Sequence, residues 1–117
     1  QEFATLTGLT VHTLRYYEQI GLLGPVPRTA AGHRHYGRLE LDWVNFIKRL
    51  KATEMPLRDI LRYAELRQQG EGTLLERQAL LSEHAERLAQ RLHEQQSHLT
   101  ALQEKISFYQ QQLTNTP

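Results

Sequence analysis

The segment from residue 73 to residue 113 constrains the fold of this chain more than any other. It contains neither proline nor glycine, so we expect one uninterrupted helix. Apolar residues recur along it in alternating steps of four and three, and they fill ten of the twelve positions of that repeat. This pattern is typical of a coiled-coil seam. Because the preceding ~70 residues are too few to cover so long a seam, we expect a partner helix, most simply from a second copy of the chain.

The expected dimer interface consists of the leucines and the isoleucine of this seam: Leu74, Leu81, Leu88, Leu92, Leu99, Leu102, Ile106 and Leu113. Gln95 occupies one further seam position. Polar residues that pair at such positions fix the register of a coiled coil. We therefore expect Gln95 to help set the register of the dimer.

A short helix near the start of the chain carries residue types that bind duplex DNA. It is predicted from Val11 to Ile20, with Thr10 as its N-cap and Gly21 as the residue that ends it. An arginine can hydrogen-bond a guanine edge or a phosphate, and a tyrosine hydroxyl can donate to phosphate. Side chains in the first turn of such a helix reach base edges. The candidate DNA contacts of this helix are His12, Thr13, Arg15 and Tyr16.

Two alternatives stand beside this interpretation. Arg15 could pair with Glu18 or Gln19 on the same helix, and both tyrosines could be core aromatics. For Tyr17 we favour the core, and for Arg15 and Tyr16 we favour DNA contact, because similar residues follow downstream.

A basic hairpin is predicted next. Residues 26–29 and 33–36 would form two short strands around a turn at residues 30–32. A basic wing beside a recognition helix reaches the flanking backbone or the minor groove. Its candidate contacts are Arg28, His33, Arg34 and Tyr36. An ordinary solvated turn is the alternative.

Two further helices complete the first part of the chain. One is predicted from about Leu39 to Thr53, and the next begins at Pro56. Their expected buried stripes are Trp43, Phe46, Ile47 and Leu50, then Leu57, Ile60, Leu61 and Ala64. The predicted protein is therefore mainly α: a winged helix-turn-helix domain over residues 1–70, then a coiled-coil dimerisation helix over residues 73–113.

The charge is unevenly distributed along the chain. The net charge is +1, but residues 1–70 carry +3 and residues 71–117 carry −2, and residues 11–51 alone carry +4. Phosphate binding requires local positive charge rather than a basic protein as a whole. The front half is thus the candidate DNA surface. Lys48, Arg49 and Lys51 are expected to be solvated, with backbone contact as the alternative.

Several classes of protein are excluded or disfavoured. The chain has no cysteine, so it forms no disulfide, thiolate metal site or thiol switch. His84, His93 and His98 do not fall on one helix face, so we expect no metal site and no cofactor. No catalytic nucleophile pattern, Walker loop or paired carboxylates appear, so we expect no enzymatic activity. There is no run of 18 apolar residues, and we expect a cytoplasmic protein.

The first 65 residues closely resemble the MerR family of transcription regulators. The resemblance rests on residues 6–10, 13–23, 28–36 and 46–60, above all on the spaced pattern Arg-Tyr-Tyr-Glu, Gly-Leu-Leu and Gly-x-Arg-x-Tyr. It implies a homodimer with an antiparallel coiled coil, bound to a pseudo-palindromic operator in a promoter. It also implies that the dimer distorts this DNA so that RNA polymerase can engage the promoter. Thr13, Arg15 and Tyr16 then belong to the recognition helix, and Arg34 and Tyr36 to the wing.

Without cysteines, the chain resembles the branch of the family that does not sense metals, and thiol-based aldehyde sensing is excluded. We expect no separate drug-binding domain after the coiled coil, and Gln1 suggests a start inside a natural protein or at a processed end. An effector either binds non-covalently near the helix junctions or does not exist. The alternative function is a coiled-coil protein-interaction module without specific DNA binding.

Overall fold

The computed structural model describes residues 2–24, 28, 30–32 and 36–116. Within them lie five α-helices and one short 3-10 helix. The helices are α1 (Glu2–Thr7), α2 (Val11–Gln19), α3 (Arg38–Ala52), α4 (Leu57–Gln68), the 3-10 helix (Glu71–Thr73) and α5 (Leu74–Asn115). The predicted mainly α fold is confirmed, including the long terminal helix. Most of the two predicted strands, at residues 26–29 and 33–36, lies outside the described residues.

The chain forms two compact units, residues 1–81 and residues 82–117. The first contains α1 to α4 and the first two turns of α5, because Leu80 and Leu81 pack against its core. The predicted boundary at residues 70–73 stays a prediction. None of the helices in the described part of the chain is long and apolar enough to span a membrane.

The core of the first unit draws on α1, α2, α3 and α4. Its buried side chains are Phe3, Leu14, Tyr17, Leu22, Leu23, Trp43, Val44, Ile47, Leu50, Met55, Ile60 and Ala64. The predicted stripe of α3 is largely buried, with Phe46 half-buried. In α4 the prediction for Leu57 was wrong: this side chain is 43% exposed because it is the first residue of the helix and lies at the edge of the core.

Trp43 lies at the centre of the packing between α3 and its neighbours. Its indole Nε1 donates a hydrogen bond of 2.6 Å to the carbonyl oxygen of Leu22, just beyond α2. Tyr63 of α4 stacks on its ring at a centroid distance of 5.7 Å. The guanidinium of Arg67 lies 4.5 Å from the ring centroid. Burial lowers the pKa of Arg67, an effect that Tyr63 and Glu40 oppose electrostatically.

Replacing Trp43 by phenylalanine tests how much its hydrogen bond to the Leu22 carbonyl contributes to stability. Trp43→Phe keeps an aromatic ring but leaves the buried Leu22 carbonyl without its donor, so we expect a loss of about 1–3 kcal/mol in the free energy of unfolding. Urea unfolding at one fixed protein concentration measures it. Phe46→Tyr, on the half-buried neighbouring ring, serves as the control. An unchanged urea midpoint for Trp43→Phe would show that water satisfies the carbonyl equally well.

Candidate nucleic-acid interface

Helix α2 begins with a side-chain cap. The Thr10 backbone is extended, and its hydroxyl oxygen accepts a 3.0 Å hydrogen bond from the backbone N–H of Thr13. The same hydroxyl donates to the Thr13 hydroxyl oxygen at 2.9 Å. A cap of this kind satisfies one of the donors that the first turn of a helix leaves unpaired. The predicted N-cap is thus present, and Thr13 itself is half-buried.

One side of α2 is exposed, and the other side is buried in the core. His12 and Arg15 are exposed, and Tyr16 is 47% exposed. On the opposite side Leu14 and Tyr17 are only 3% and 4% exposed. The helix therefore presents a cationic, hydrogen-bonding surface from a rigid base, as direct contact with DNA requires.

The end of α2 is fixed as firmly as its start. Gly21, with φ 92°, allows the N–H of Leu22 to donate to the carbonyl of Tyr17 at 2.8 Å, which closes the helix. The Gln68 side chain at the end of α4 donates a long 3.4 Å hydrogen bond to the Gly21 carbonyl. A Cβ on Gly24, where φ is 71°, would lie 2.8 Å from Gln68 Nε2. Sequence periodicity gave no indication of this contact between α4 and the segment after α2.

Arg28 contacts two parts of the molecule at once. Its Nη2 lies 3.7 Å from Glu18 Oε1 on the last turn of α2, and its Nη1 donates to the Gly32 carbonyl at 3.3 Å. The side chain of Arg28 remains 48% exposed, and that of Glu18 is 19% exposed. The structure thus connects a predicted DNA-binding arginine to α2, a contact that sequence analysis missed.

Other candidate residues make contacts within the first unit, although Lys48, Arg49 and Lys51 remain exposed as predicted. The ring of Tyr36 stacks on Phe3 with centroids 4.3 Å apart and an interplanar angle of 9°. Lys51 Nζ lies 5.1 Å from the ring centroid of Tyr17. Lys48 donates a hydrogen bond to the Thr7 carbonyl at the end of α1. His33 and Arg34 lie outside the described residues.

The predicted seam of α5 is exposed over most of its length. Leu92, Leu99, Leu102, Ile106 and Leu113 are between 45% and 77% exposed, and Leu74 is 58% exposed. Leu81 and Leu88 are half-buried. Large apolar side chains repeated on one helix face in this way are typical of coiled-coil surfaces. Among the described residues, no group of histidine, aspartate and glutamate side chains is arranged to hold a metal ion.

Two sequence models identify the family. Residues 1–36 match that of the MerR family regulatory proteins, and residues 41–111 match that of the MerR DNA-binding region. The chain belongs to the MerR family. The two MerR models together cover most of α1 to α5, so α2 and the exposed seam as far as Ile106 lie in matched parts of the chain.

Individual MerR relatives agree with this assignment. An uncharacterised HTH-type transcriptional regulator of Haemophilus influenzae is 35% identical over 103 residues, 88% of this chain and 76% of that protein. HiNmlR, a MerR family regulator that lacks the sensor domain and was crystallised with promoter DNA, superposes with a TM-score of 0.81 at 33% identity, over 97% of this chain and 90% of that one. A Listeria monocytogenes chain assigned to the MerR family superposes with a TM-score of 0.89 at 32% identity, over 97% and 86%. These matches favour the DNA-binding regulator over the protein-interaction module.

The cap of α2 provides a direct test of this local structure. Thr10→Ala removes the acceptor for the Thr13 N–H, and we expect the free energy of unfolding to fall by about 1 kcal/mol. Thr10→Ser keeps the hydroxyl and should retain most of the stability. Urea unfolding of both variants at the same protein concentration makes the comparison. Equal stability of Thr10→Ala and the unaltered chain would mean that the cap contributes nothing.

Proposed function

We propose that the chain acts as a homodimeric MerR-type transcription regulator in the cytoplasm, and that α2 enters the major groove of a pseudo-palindromic promoter operator. The observation that carries the proposal is the exposed row His12, Arg15 and Tyr16 on a helix whose opposite face is buried. An α-helix fits the major groove, where base edges carry a unique pattern of donors and acceptors. The promoter DNA bound to HiNmlR supports the same kind of target here.

Each exposed residue has a distinct proposed role. Arg15 hydrogen-bonds a guanine edge or clamps a phosphate, and the Tyr16 hydroxyl donates to a phosphate. His12 and Thr13, in the first turn, reach base edges or thymine methyl groups. From the hairpin, His33, Arg34 and Tyr36 contact the flanking backbone or minor groove.

The proposed dimer forms through the α5 seam, with two copies running antiparallel as in the family. It places two recognition helices on two half-sites, and the bound dimer bends and untwists the spacer so that RNA polymerase engages both promoter elements. DNA distortion has an energetic cost that depends on the sequence deformed. An effector, where there is one, would change the free energy of this distortion.

The first experiment is a fluorescence-anisotropy titration of the purified chain against promoter fragments from upstream of its own and adjacent genes, at several salt concentrations. We expect tight binding to one fragment and a steep decrease in affinity with salt. Weak binding that is equal on all fragments would contradict a specific operator.

The role of Arg15 is tested on the fragment so identified. Arg15→Ala should weaken operator binding by about 1–3 kcal/mol, because one base or phosphate contact is lost. Arg87→Ala removes the same charge from an exposed position of α5 and serves as the matched control. Equal affinities of the two variants would remove Arg15 from the proposed interface.

The seam is tested by a single carboxylate. Leu92→Asp introduces a charge among the apolar side chains of the proposed dimer interface, and we expect a monomer that binds the operator poorly. Ser97→Asp introduces the same group on another side of α5 and should leave the dimer intact. Sedimentation equilibrium measures the mass of each variant. A dimeric Leu92→Asp variant would place the interface elsewhere.

A further inference from the structure

We propose that Arg28 is a positioning residue, which ties the turn at residues 30–32 to the recognition helix through Glu18. The inference rests on the proposed function and deepens it: an arginine predicted to contact DNA acts through a second residue. Helix α2 and the turn then approach the DNA as one rigid body.

The guanidinium group is suited to this task. Its Nη2 lies 3.7 Å from Glu18 Oε1, while its Nη1 donates to the Gly32 carbonyl at 3.3 Å. A guanidinium is a planar fork whose donors point in fixed directions, so one nitrogen can donate to the Gly32 carbonyl while another lies beside the Glu18 carboxylate. Lysine carries the same charge on a single nitrogen and lacks this geometry.

The position of Glu18 supports the same conclusion. A carboxylate on the last turn of a helix meets the negative end of the helix dipole, which is unfavourable. On a helix that faces the phosphates of DNA, it also repels the ligand. Glu18 nevertheless lies on α2 with only 19% of its side chain exposed, and the guanidinium of Arg28 lies beside its carboxylate. The contact with Arg28 gives this carboxylate a favourable interaction that offsets part of both costs.

This role predicts an effect opposite in sign to simple electrostatics. Glu18→Gln removes a negative charge near the DNA, and charge repulsion alone predicts tighter binding. If Glu18 orients Arg28, the variant should instead bind the operator about fivefold more weakly, the range of a partly exposed ion pair. Arg28→Lys, which keeps the charge and loses the fork, should show a similar loss with an unchanged salt slope. If Arg28 contacted a phosphate directly, Arg28→Lys would instead keep its affinity for the operator. Arg28→Gln would then lower the slope of the salt dependence by about one.

The decisive experiment is a double-mutant cycle with Glu18→Gln, Arg28→Gln and the double variant. Fluorescence anisotropy measures the affinity of each variant for the operator and for a scrambled duplex at several salt concentrations. We expect the double variant to bind no more weakly than Arg28→Gln alone, with the loss larger on the operator than on the scrambled duplex. Urea midpoints of all variants report whether a loss of binding reflects a loss of fold. If Arg28→Gln proves unstable, Arg28→Lys replaces it in the comparison.

The outcomes separate the two proposals. Unchanged or tighter operator binding by Glu18→Gln, or losses that multiply in the double variant, would overturn the positioning role and leave the regulator intact. An unaltered chain that binds operator and scrambled duplex equally would overturn the proposed function, and the positioning role with it.

Discussion

The buried hydrogen bond from the Trp43 indole to the Leu22 carbonyl holds the segment that follows α2. A helix of nine residues is too short to be stable alone, so packing and the two helix ends decide where α2 points. Its start depends on the Thr10 hydroxyl and its end on Gly21 and the buried Leu22. Every exposed side chain of α2 is therefore presented in a direction that α3 sets.

Local rules predicted the elements of this arrangement but not the contacts that join them. The cap, the glycine stop and the exposed side of α2 follow from residue type and helical spacing, and the structure contains them. The Trp43–Leu22, Gln68–Gly21 and Arg28–Glu18 pairs join residues 21, 47 and 10 positions apart in the sequence. A periodic pattern shows which face of a helix is buried and does not reveal which polar atom lies opposite it.

Tyr36 illustrates the same limit in a single residue. A tyrosine in a basic, polar segment suggests DNA contact, since its hydroxyl can donate to phosphate. The structure shows its ring stacked on Phe3, at the edge of the core. An amphipathic side chain can pack its ring and still present its polar end elsewhere, so residue type alone does not distinguish the two roles.

The net charge of residues 11–51 overstates how many cations are available to bind phosphate, because some of them already have contacts within the protein. Residues 11–51 carry seven basic side chains against three acidic ones. Among the described residues, Arg38 pairs with Asp42 within α3, and three further cations have contacts between elements: Lys48 with the Thr7 carbonyl, Lys51 with the Tyr17 ring and Arg28 with Glu18. Such contacts use the cations to fix α1, α2 and the turn relative to one another. Affinity for phosphate then depends on where the structure holds the charges, more than on their sum.

The exposure of the α5 seam limits which kind of partner would suit the proposed interface. Burying one leucine fully yields about 1.5–3 kcal/mol, and these side chains are already about half-covered, so each contributes only part of that. Association costs about 4–15 kcal/mol in lost freedom and ordering of side chains. A partner helix that covered one or two of the exposed leucines would not offset that cost. A partner as long as α5, with apolar side chains at the same spacing, covers all of them and contributes its own, and a second copy of this chain has both properties.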